Sequence, residues 1–340
     1  MLSTMSDSEK KSLKAAVVGL GKMGLLHACI LNVLPNVKLV ALCDKGFMIR
    51  RISEKLFRNV RIVNALDDLD GLDLDLVYVT TPIPSHFSIV KAIYSEGLVP
   101  NVFVEKTLAH NYEGAKELCM LAQESGGVNM VGYMKRFSVT FRKAKNLLDK
   151  EALGRVVSFS AYAYSSDFSE TKNNSKISVS RGGVLGDLGS HLVDLALWYF
   201  GDFRVKLARL SSLDDMGSDD FALFYVDASD GMEGQFEVTW CKKGYRMPEF
   251  GLVVYGTKGT MKINDDEVEL ELKDGKSVKW YRHDLDDNVG FLLGAPEFFR
   301  EDDYLVKSVL KSVDAKPNFL MASRVDWVIE QVRNKAGKNA

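Results

Sequence analysis

Three side chains capable of acid–base chemistry stand close together in the middle of the sequence. Asp187, His191 and Asp194 follow one another at intervals of four and three residues, among positions that are mostly apolar. Residues with this spacing share one face of a helix, so we expect all three to project to the same side. Polar side chains on an otherwise apolar helix need hydrogen-bonding partners or a function.

The segment by itself permits three interpretations. His191 could be a buried histidine with satisfied hydrogen bonds, and the aspartates could be caps or members of salt bridges. Asp187 and His191 could ligate a metal, although no further group of histidines, cysteines and aspartates clearly completes a coordination shell. Finally, His191 could accept a substrate proton, with Asp187 orienting the imidazole or the substrate hydroxyl.

A glycine-rich turn near the start of the chain adds a second kind of chemistry. Gly19, Gly21 and Gly24 follow an apolar run and open a helix-like segment, in the pattern Gly-x-Gly-x-x-Gly. The first glycine permits a tight turn, the second lets a pyrophosphate approach the backbone, and the third lets the helix sit close to the sheet. A second apolar run ends at Asp44, whose carboxylate would bind the adenosine ribose hydroxyls. This order of elements predicts a dinucleotide-binding site.

The elements around the turn must bring the cofactor and the catalytic residues together. The first half of the chain alternates apolar runs with helical patterns, which predicts a parallel, doubly wound Rossmann sheet. Ligands bind outside the carboxyl ends of the strands of such a sheet. In addition to the glycines and Asp44, we expect the cofactor to contact these residues: Lys22, Met23, Thr80, Thr81, Pro82, His86, Glu105 and Lys106.

Two histidines and a short aromatic and basic run have competing interpretations. His86, near the start of a helix, could contact the nicotinamide end of the cofactor or could serve in packing or capping. His27 lies inside the first helix and is predicted to be a packed histidine. Tyr133, Lys135 and Arg136 follow the last strand of the first half and could line the substrate cleft, or the basic pair could be a solvated face. We favour the cleft, with Tyr133 and Arg136 as substrate-binding residues.

The later part of the chain has a different pattern. It reads mostly as short strands with hairpin-like turns, which predicts an α+β domain with an open, mainly antiparallel sheet. One helix interrupts the strands at about Gly183–Phe200. We expect a dinucleotide-binding domain over residues 1–133, with 1–12 as a frayed tail, and a substrate-binding and oligomerisation domain over residues 134–340. The polar stretch Ser165–Ser180 is predicted to be a long loop, serving either as a binding loop or lid or merely mobile.

The dinucleotide site favours the acid–base interpretation of His191. An enzyme that oxidises an alcohol with a nicotinamide cofactor needs a base for the hydroxyl proton, and histidine titrates in the useful pH range. Such an enzyme also benefits from a cation near the developing alkoxide. Lys106, at the carboxyl end of a parallel strand, is well placed for that role, and no metal is predicted.

The motifs occur in an order that resembles a known family. They read Gly19-x-Gly21-x-x-Gly24, Thr81-Pro82-x-x-x-His86, Glu105-Lys106-Thr107 and Gly182-Gly183-x-x-x-Asp187-x-Gly189-x-His191-x-x-Asp194. Together they are similar to the Gfo/Idh/MocA family of NAD(P)-dependent oxidoreductases. The resemblance implies a Rossmann domain followed by an α/β domain with an open sheet. It also implies sugar, cyclitol or related polyol substrates, and a catalytic set of Lys106, Asp187 and His191, which would also contact the substrate.

The sequence departs from the family pattern at two positions. Thr107 follows the lysine where the family usually has proline, and Arg181 stands where the family often has another glycine. His191 fits the polyol-dehydrogenase branch, since the glucose–fructose oxidoreductase branch tends to carry tyrosine there. We therefore predict a dehydrogenase. The alternatives are a dinucleotide-binding regulator without turnover, and a lyase or epimerase that uses tightly bound NAD transiently.

The acid after the second apolar run also bears on the choice of coenzyme. The Asp44 carboxylate should bond the ribose diol and repel a 2′-phosphate, which favours NAD. Lys45, Arg50 and Arg51 could each pair with a phosphate, so NADP is possible.

Composition limits the partners. The 340 residues carry a net charge of −2 with no basic block, which argues against nucleic acid. No apolar run reaches the roughly 20 residues of a membrane helix. The polar N-terminus lacks a signal-peptide centre, and four cysteines without a Cys-x-x-Cys pair predict reduced thiols in the cytoplasm. Because Phe221–Val226 and Leu252–Tyr255 are apolar on both strand faces, we expect a homodimer or homotetramer through the second sheet.

Overall fold

The computed structural model describes residues 12–166, 181–212, 219–289 and 295–337. The predicted N-terminal tail, apart from Ser12, lies outside these ranges, and so do residues 167–180 of the predicted polar loop. The described residues form two β-sheets with helices packed on them.

The first sheet contains the apolar runs of the first half of the chain, and all its strand pairs are parallel. In the order β3-β2-β1-β4-β5-β6, its strands are β1 (Leu13–Val18), β2 (Val37–Cys43), β3 (Arg61–Val63), β4 (Leu76–Val79), β5 (Asn101–Glu105) and β6 (Asn129–Gly132). The helices between them are α1 (Lys22–Val33), α2 (Phe47–Leu56), α3 (His86–Ser95) and α4 (Tyr112–Ser125). The predicted doubly wound Rossmann sheet is confirmed. The chain reverses its direction of strand addition between β1 and β4, where this fold binds dinucleotides.

The second sheet follows in the later part of the chain. Its strands are β7 (Val156–Tyr164), β8 (Phe203–Ser211), β9 (Phe221–Ala228), β10 (Glu233–Thr239), β11 (Glu249–Gly256), β12 (Gly259–Asn264), β13 (Glu267–Leu272) and β14 (Ser277–Tyr281). Their order is β14-β13-β12-β11-β7-β10-β9-β8. The predicted mainly antiparallel sheet is confirmed, with one parallel pair between β7 and β10.

Two elements of this part are not indicated by the sequence pattern. Strand β8 carries a bulge between Val205 and Leu207, which shifts the alternation of buried and exposed side chains within the strand. Helix α5 (Val139–Asp149) buries only Thr140, Phe141 and Ala144, so its apolar face is too sparse to stand out.

Three later helices complete the fold. They are α6 (Ser190–Phe200), α7 (Pro296–Lys311) and α8 (Phe319–Ala336). Helix α7 packs on α1, and its residues Leu305 and Val306 belong to the same core as Leu13 of β1 and Leu31 of α1. Helix α8 contacts α4 and β8. The end of the chain therefore returns to the nucleotide-binding half and ties the two sheets together.

The outer face of the second sheet is only partly apolar. Leu223 of β9 and Val253 of β11 are half-buried there, and Tyr225 is exposed. Neighbouring tyrosines pair with acids, because Tyr162 Oη donates to Glu249 at 2.8 Å. The outward side chains within Phe221–Val226 and Leu252–Tyr255 are apolar or aromatic, and the acids on this face lie outside those two segments. Coverage of this face by a partner subunit stays a prediction.

Candidate functional site

The glycine turn has the close packing that its sequence predicts. Gly19 has φ +97°, and a Cβ atom there would lie 2.7 Å from the backbone nitrogen of Thr81. A Cβ atom on Gly24 would lie 1.8 Å from the carbonyl oxygen of Gly19, so α1 sits directly on the turn. A Cβ atom on Gly21 would meet no protein atom within 4 Å. The open side of the turn is therefore at Gly21, where a pyrophosphate would approach the backbone.

Helix α1 presents its N-terminus to the same open side. Gly21 is its N-cap, Lys22 and Met23 lie in its first turn, and among the described residues no side chain caps it. The first backbone N–H groups are thus available to an anion. Thr80, at the end of β4, donates its hydroxyl to the carbonyl oxygen of Gly19 at 2.6 Å and holds the turn in place.

Asp44 stands at the end of β2 with its carboxylate fixed. Oδ2 accepts the backbone N–H of Leu20 at 2.6 Å, and Oδ1 accepts that of Gly46 at 2.7 Å. Each carboxylate oxygen has a second lone pair, which a ribose hydroxyl could use. Arg50 donates to the carbonyl oxygens of Asp44 and Lys45, at 2.8 Å each, and so lies beside the predicted ribose position. The open glycine turn, the uncapped helix and this acid together fit a bound dinucleotide.

His86 lies behind the predicted cofactor surface. Its side chain is fully buried, and its ring nitrogens lie 2.6 Å from the carbonyl oxygen of Thr81 and 2.7 Å from that of Thr107. Burial lowers the pKa of His86, although the two carbonyl contacts oppose that shift. The residue therefore clamps the turns after β4 and β5 together, which agrees with the packing interpretation. Pro82 is exposed and Thr81 half-buried on the turn itself.

Lys106 and Asp187 meet across the two halves of the chain. Lys106 Nζ lies 2.5 Å from Oδ1 of Asp187 and 2.9 Å from its carbonyl oxygen. Arg181 approaches the other carboxylate oxygen at 3.3 Å. Burial would raise the pKa of Asp187, but Lys106 and then Arg181 outweigh it and hold that pKa below its ordinary value. The peptide bond between Lys106 and Thr107 is cis, and the lysine reaches Asp187 with threonine in place of the family's usual proline.

The segment around Asp187 is not the regular α-helix that its spacing predicts. Leu185–Gly189 forms a π-helical turn before α6 begins at Ser190. Because a π-turn changes the angle between successive side chains, the three acid–base residues do not share one set of partners. Asp194 is fully buried and binds Arg136 through two hydrogen bonds of 2.7 Å.

His191 is held by aromatic rings. It is 4% exposed, and the rings of Tyr133 and Phe250 pack edge-on to it with centroid distances of 5.9 and 5.4 Å. Within the described structure its buried Nδ1 has no hydrogen-bond partner, which leaves Nε2 as the ring nitrogen with access to solvent. Burial, then Lys106 and Lys135, lower the pKa of His191 well below its ordinary value. The imidazole is therefore neutral at neutral pH, as a general base must be.

Three predicted contacts lie deeper than the sequence suggests. The Tyr133 side chain is fully buried beneath His191. The guanidinium of Arg136 is already bound to Asp194, and Lys135 forms an ion pair with Asp265. A role for Tyr133 or Arg136 in substrate binding stays a prediction.

Glu105 points away from the cleft. Its carboxylate accepts the backbone N–H of Lys106 at 3.0 Å and lies 3.1 Å from Nε2 of His27 in the interior. Successive side chains of an extended backbone face opposite sides. Because Glu105 and Lys106 are adjacent, a Lys106 side chain in the cleft implies that the Glu105 side chain points into the interior. By contrast, no sequence signal indicates that Phe250 packs on His191 or that Asp302 contacts His27.

No helix in the described ranges is both long and apolar enough to cross a lipid bilayer.

Both halves of the chain match known protein families. Residues 13–133 match a family described as "Oxidoreductase family, NAD-binding Rossmann fold". Residues 141–262 match the "GFO/IDH/MocA C-terminal domain".

Individual proteins are similar at low identity. The chain is 24% identical to scyllo-inositol 2-dehydrogenase (NAD(+)) of Bacillus subtilis over 238 residues, 67% of each chain. It is 27% identical to 2,7-anhydro-N-acetylneuraminate hydratase of Mediterraneibacter gnavus over 290 residues, 81% of this chain and 73% of that one. A solved structure of levoglucosan dehydrogenase with NADH and levoglucosan superposes with a TM-score of 0.86 at 20% identity, covering 97% of this chain and 98% of the other.

Proposed function

We propose, because the chain belongs to the Gfo/Idh/MocA family of NAD-binding oxidoreductases, that it oxidises a secondary alcohol of a sugar, cyclitol or related polyol. One observation carries the proposal. Lys106, which follows the carboxyl end of β5, is joined to Asp187, and it is near enough to the buried imidazole of His191 to help lower its pKa. A cation and a base near one another, beyond the carboxyl ends of the strands that carry the glycine turn, support the proposal.

In this proposal His191 handles the proton. The substrate hydroxyl donates to Nε2, which accepts the proton as the carbon is oxidised, and the bound coenzyme supplies the hydride acceptor. The low pKa of the buried imidazole keeps the base unprotonated before the reaction. The aromatic rings of Tyr133 and Phe250 fix the plane of the imidazole, since Asp187 contacts Lys106 and not His191.

Lys106 stabilises the negative charge that develops on the substrate oxygen. Its ammonium has three donors, and its bonds to Asp187 use two of them, so one is left for the substrate oxygen. A prepositioned charge of this kind costs no reorganisation at the moment of reaction. Asp187 holds the ammonium in place, and its low pKa keeps it ionised for that purpose.

A substrate screen tests the proposal directly. The purified protein is incubated with NAD and a panel of sugars, inositols and sugar acids, and NADH is followed by its absorbance. We expect at least one compound to give multiple turnovers of NADH. The assignment as a dehydrogenase would be overturned if substrates bind and NAD binds but no compound yields product.

One relative supports a second candidate. The hydratase of Mediterraneibacter gnavus, which aligns over 81% of this chain, is named for a reaction with no net oxidation. An enzyme of that class would convert its substrate while free NADH does not accumulate. Product analysis by mass spectrometry beside the absorbance assay separates the two candidates. A regulator without turnover is less well supported, since the base, the cation and the acid are all present and arranged.

We infer that the two parts of the chain have different functions. Residues 1–133 bind the coenzyme, and residues 134–340 supply the substrate site and the oligomer interface. The presence of two separate sheets supports this division. Helices α7 and α8 belong to the second part of the chain but pack against elements of the first part. A cytoplasmic location is part of the proposal, and the thiols of Cys29, Cys43 and Cys119, which form no disulfide with the described residues, agree with it.

The coenzyme preference should follow Asp44. Asp44→Ser is expected to weaken NAD binding by roughly tenfold to a hundredfold, the range for losing a hydrogen bond to a charged group. NADP binding should improve in the same variant, because the repulsion is removed and Arg50 stands next to the site. Fluorescence titration with NADH and NADPH measures both. Asp149→Ser, at an exposed aspartate of α5, is the matched control, and tighter binding of NADPH by the unmodified protein would contradict the preference.

The second sheet should mediate a homodimer or homotetramer. Its outer face combines the half-buried Leu223 and Val253 with the exposed Tyr225 and Tyr255. We expect Leu223→Lys with Val253→Lys to dissociate the oligomer, because each buries a charge in the interface. Light scattering at micromolar concentration measures the oligomeric state. Met120→Lys, at an exposed position of α4, is the control. A monomeric unmodified protein at that concentration would overturn the prediction.

A further inference from the structure

His27 joins three elements that are far apart in the sequence. It lies on α1 with a fully buried side chain. Its Nδ1 is 2.9 Å from both carboxylate oxygens of Asp302 on α7, and its Nε2 is 3.1 Å from Oε1 of Glu105 at the end of β5. Three aromatic rings surround the imidazole at centroid distances of 5.5, 5.0 and 6.0 Å: Tyr78, Phe103 and Phe298.

A protonated imidazole fits its surroundings, because each ring nitrogen of His27 faces a carboxylate. Burial opposes that charge, but Asp302 and then Glu105 outweigh burial and hold the pKa of His27 well above its ordinary value. With a proton on each nitrogen, the ring donates to both carboxylates at once. Two buried acids thereby obtain a charged donor, which buried carboxylates require.

The same neighbourhood has the composition of a cation site. His27, Glu301 and Asp302 bring ligand atoms within 4.8 Å of one another. However, both ring nitrogens of His27 already contact carboxylates, so neither lone pair is available while those bonds persist. Burial, then the neighbouring Glu105, raise the pKa of Glu301 well above its ordinary value, so a neutral carboxyl there needs no cation. The hydrogen-bonded network therefore consists of His27, Asp302 and Glu105, and Glu301 lies beside it without a hydrogen bond to the described residues.

Glu105 connects this network to the lysine of the active site. While Oε1 faces His27, Oε2 accepts the backbone N–H of Lys106 at 3.0 Å. The position of that backbone sets where the ammonium of Lys106 can reach, and Nζ must span the cleft to Asp187. A small displacement at this point would move the charge away from the substrate oxygen, where errors of about 1 Å can cost two orders of magnitude in rate.

We propose that His27 is a positioning residue for the reaction, because its bond to Glu105 fixes the backbone of Lys106 relative to α1, the helix that faces the coenzyme phosphates. The bond from His27 to Asp302 has a different effect, since it anchors α7 to the Rossmann core. This inference rests on the proposed function, in which Lys106 acts on the substrate oxygen.

Two isosteric substitutions separate the roles of the two ring nitrogens. His27→Gln places an amide nitrogen where Nε2 was and keeps a donor for Glu105, while it loses the contact to Asp302. His27→Asn places its amide near Nδ1 and does the reverse. We expect His27→Asn to lower kcat by about tenfold to a hundredfold with little change in KM, and His27→Gln to stay within about threefold of the unmodified kcat. Thermal stability should fall in both variants.

A second measurement does not depend on turnover. The amide of Lys106 should exchange its hydrogen faster in His27→Asn than in His27→Gln, because only the latter keeps Glu105 in place. Leu31→Ala, one helical turn further along α1 and fully buried, is the control for lost stability alone. It should lower the melting temperature without changing kcat or the exchange of Lys106.

The outcomes are distinct. Equal exchange at Lys106 in the two His27 variants would overturn the positioning role, and so would equal kcat values in an active enzyme. If the exchange rates differ as expected but the unmodified protein turns over no substrate, the link from His27 to Lys106 stands and the proposed dehydrogenase function fails.

Discussion

His191→Ala is expected to lower turnover by roughly 10²- to 10⁴-fold, the usual contribution of a positioned acid–base group. The fold should survive, because the buried Nδ1 of His191 has no hydrogen-bond partner to lose among the described residues. Coenzyme affinity should change little, since the glycine turn and Asp44 follow strands of the first sheet, whereas His191 lies on α6 in the later part of the chain. Steady-state kinetics and NADH titration of the same preparation measure both effects.

The pH dependence supplies an internal check on His191. A neutral imidazole is the active form, so kcat/KM should be constant at high pH and fall as the pH drops through the pKa of His191. Because burial, Lys106 and Lys135 lower that pKa, the step should lie below the ordinary histidine value of 6.5. A step within the ordinary range of histidine pKa values, as expected for an unperturbed imidazole, would therefore be at too high a pH for His191. The step should disappear in His191→Ala.

Lys106→Ala gives a matched comparison. It should also reduce turnover, and the double variant should lose less than the product of the two single losses, because both side chains act on one oxygen. A His191→Ala protein that retains full turnover and only melts earlier would remove this residue from the mechanism.

Gly21→Ala is expected to block the coenzyme while leaving the unliganded protein intact. A methyl group at this position meets no protein atom within 4 Å, so the melting temperature without coenzyme should stay unchanged. Where the pyrophosphate must approach the backbone, the same methyl group should cost about 1–3 kcal/mol of binding energy. That corresponds to roughly fivefold to 150-fold weaker binding of NAD. Calorimetry with NAD and thermal melts without it test the two halves of the prediction.

Gly337→Ala serves as the control. Gly337 has φ −68°, and a Cβ atom there makes only an ordinary contact of 3.5 Å with Arg333. This variant should bind NAD normally. Unchanged NAD affinity in Gly21→Ala would mean that the pyrophosphate does not pass Gly21, and the placement of the coenzyme would have to be revised.

The coenzyme-binding half could be predicted largely from the sequence. The spacing of Gly19, Gly21 and Gly24, the apolar strand before them and the acid at Asp44 are local features, because each depends on residues within one strand–helix–strand unit. The alternation of strands and helices then implies a parallel sheet through chain geometry alone. Lys106, Asp187 and His191, the proposed catalytic residues, are singled out by motif, and in the structure Lys106 binds Asp187 and helps to lower the pKa of His191.

The partners of these residues were decided only by the tertiary structure. Lys106 and Asp187 are 81 residues apart, and His27 and Asp302 are 275 apart, so no local pattern records either contact. The π-turn at Leu185–Gly189 also separates Asp194 from the partners of Asp187, which a regular helical spacing does not allow for. Periodicity determines which face of an element is buried, because burial depends on alternation along one segment. Periodicity does not determine which charged group a side chain meets, because that depends on how distant segments pack. The contacts of Glu105 with His27 and of Lys106 with Asp187 are therefore visible only in the folded chain.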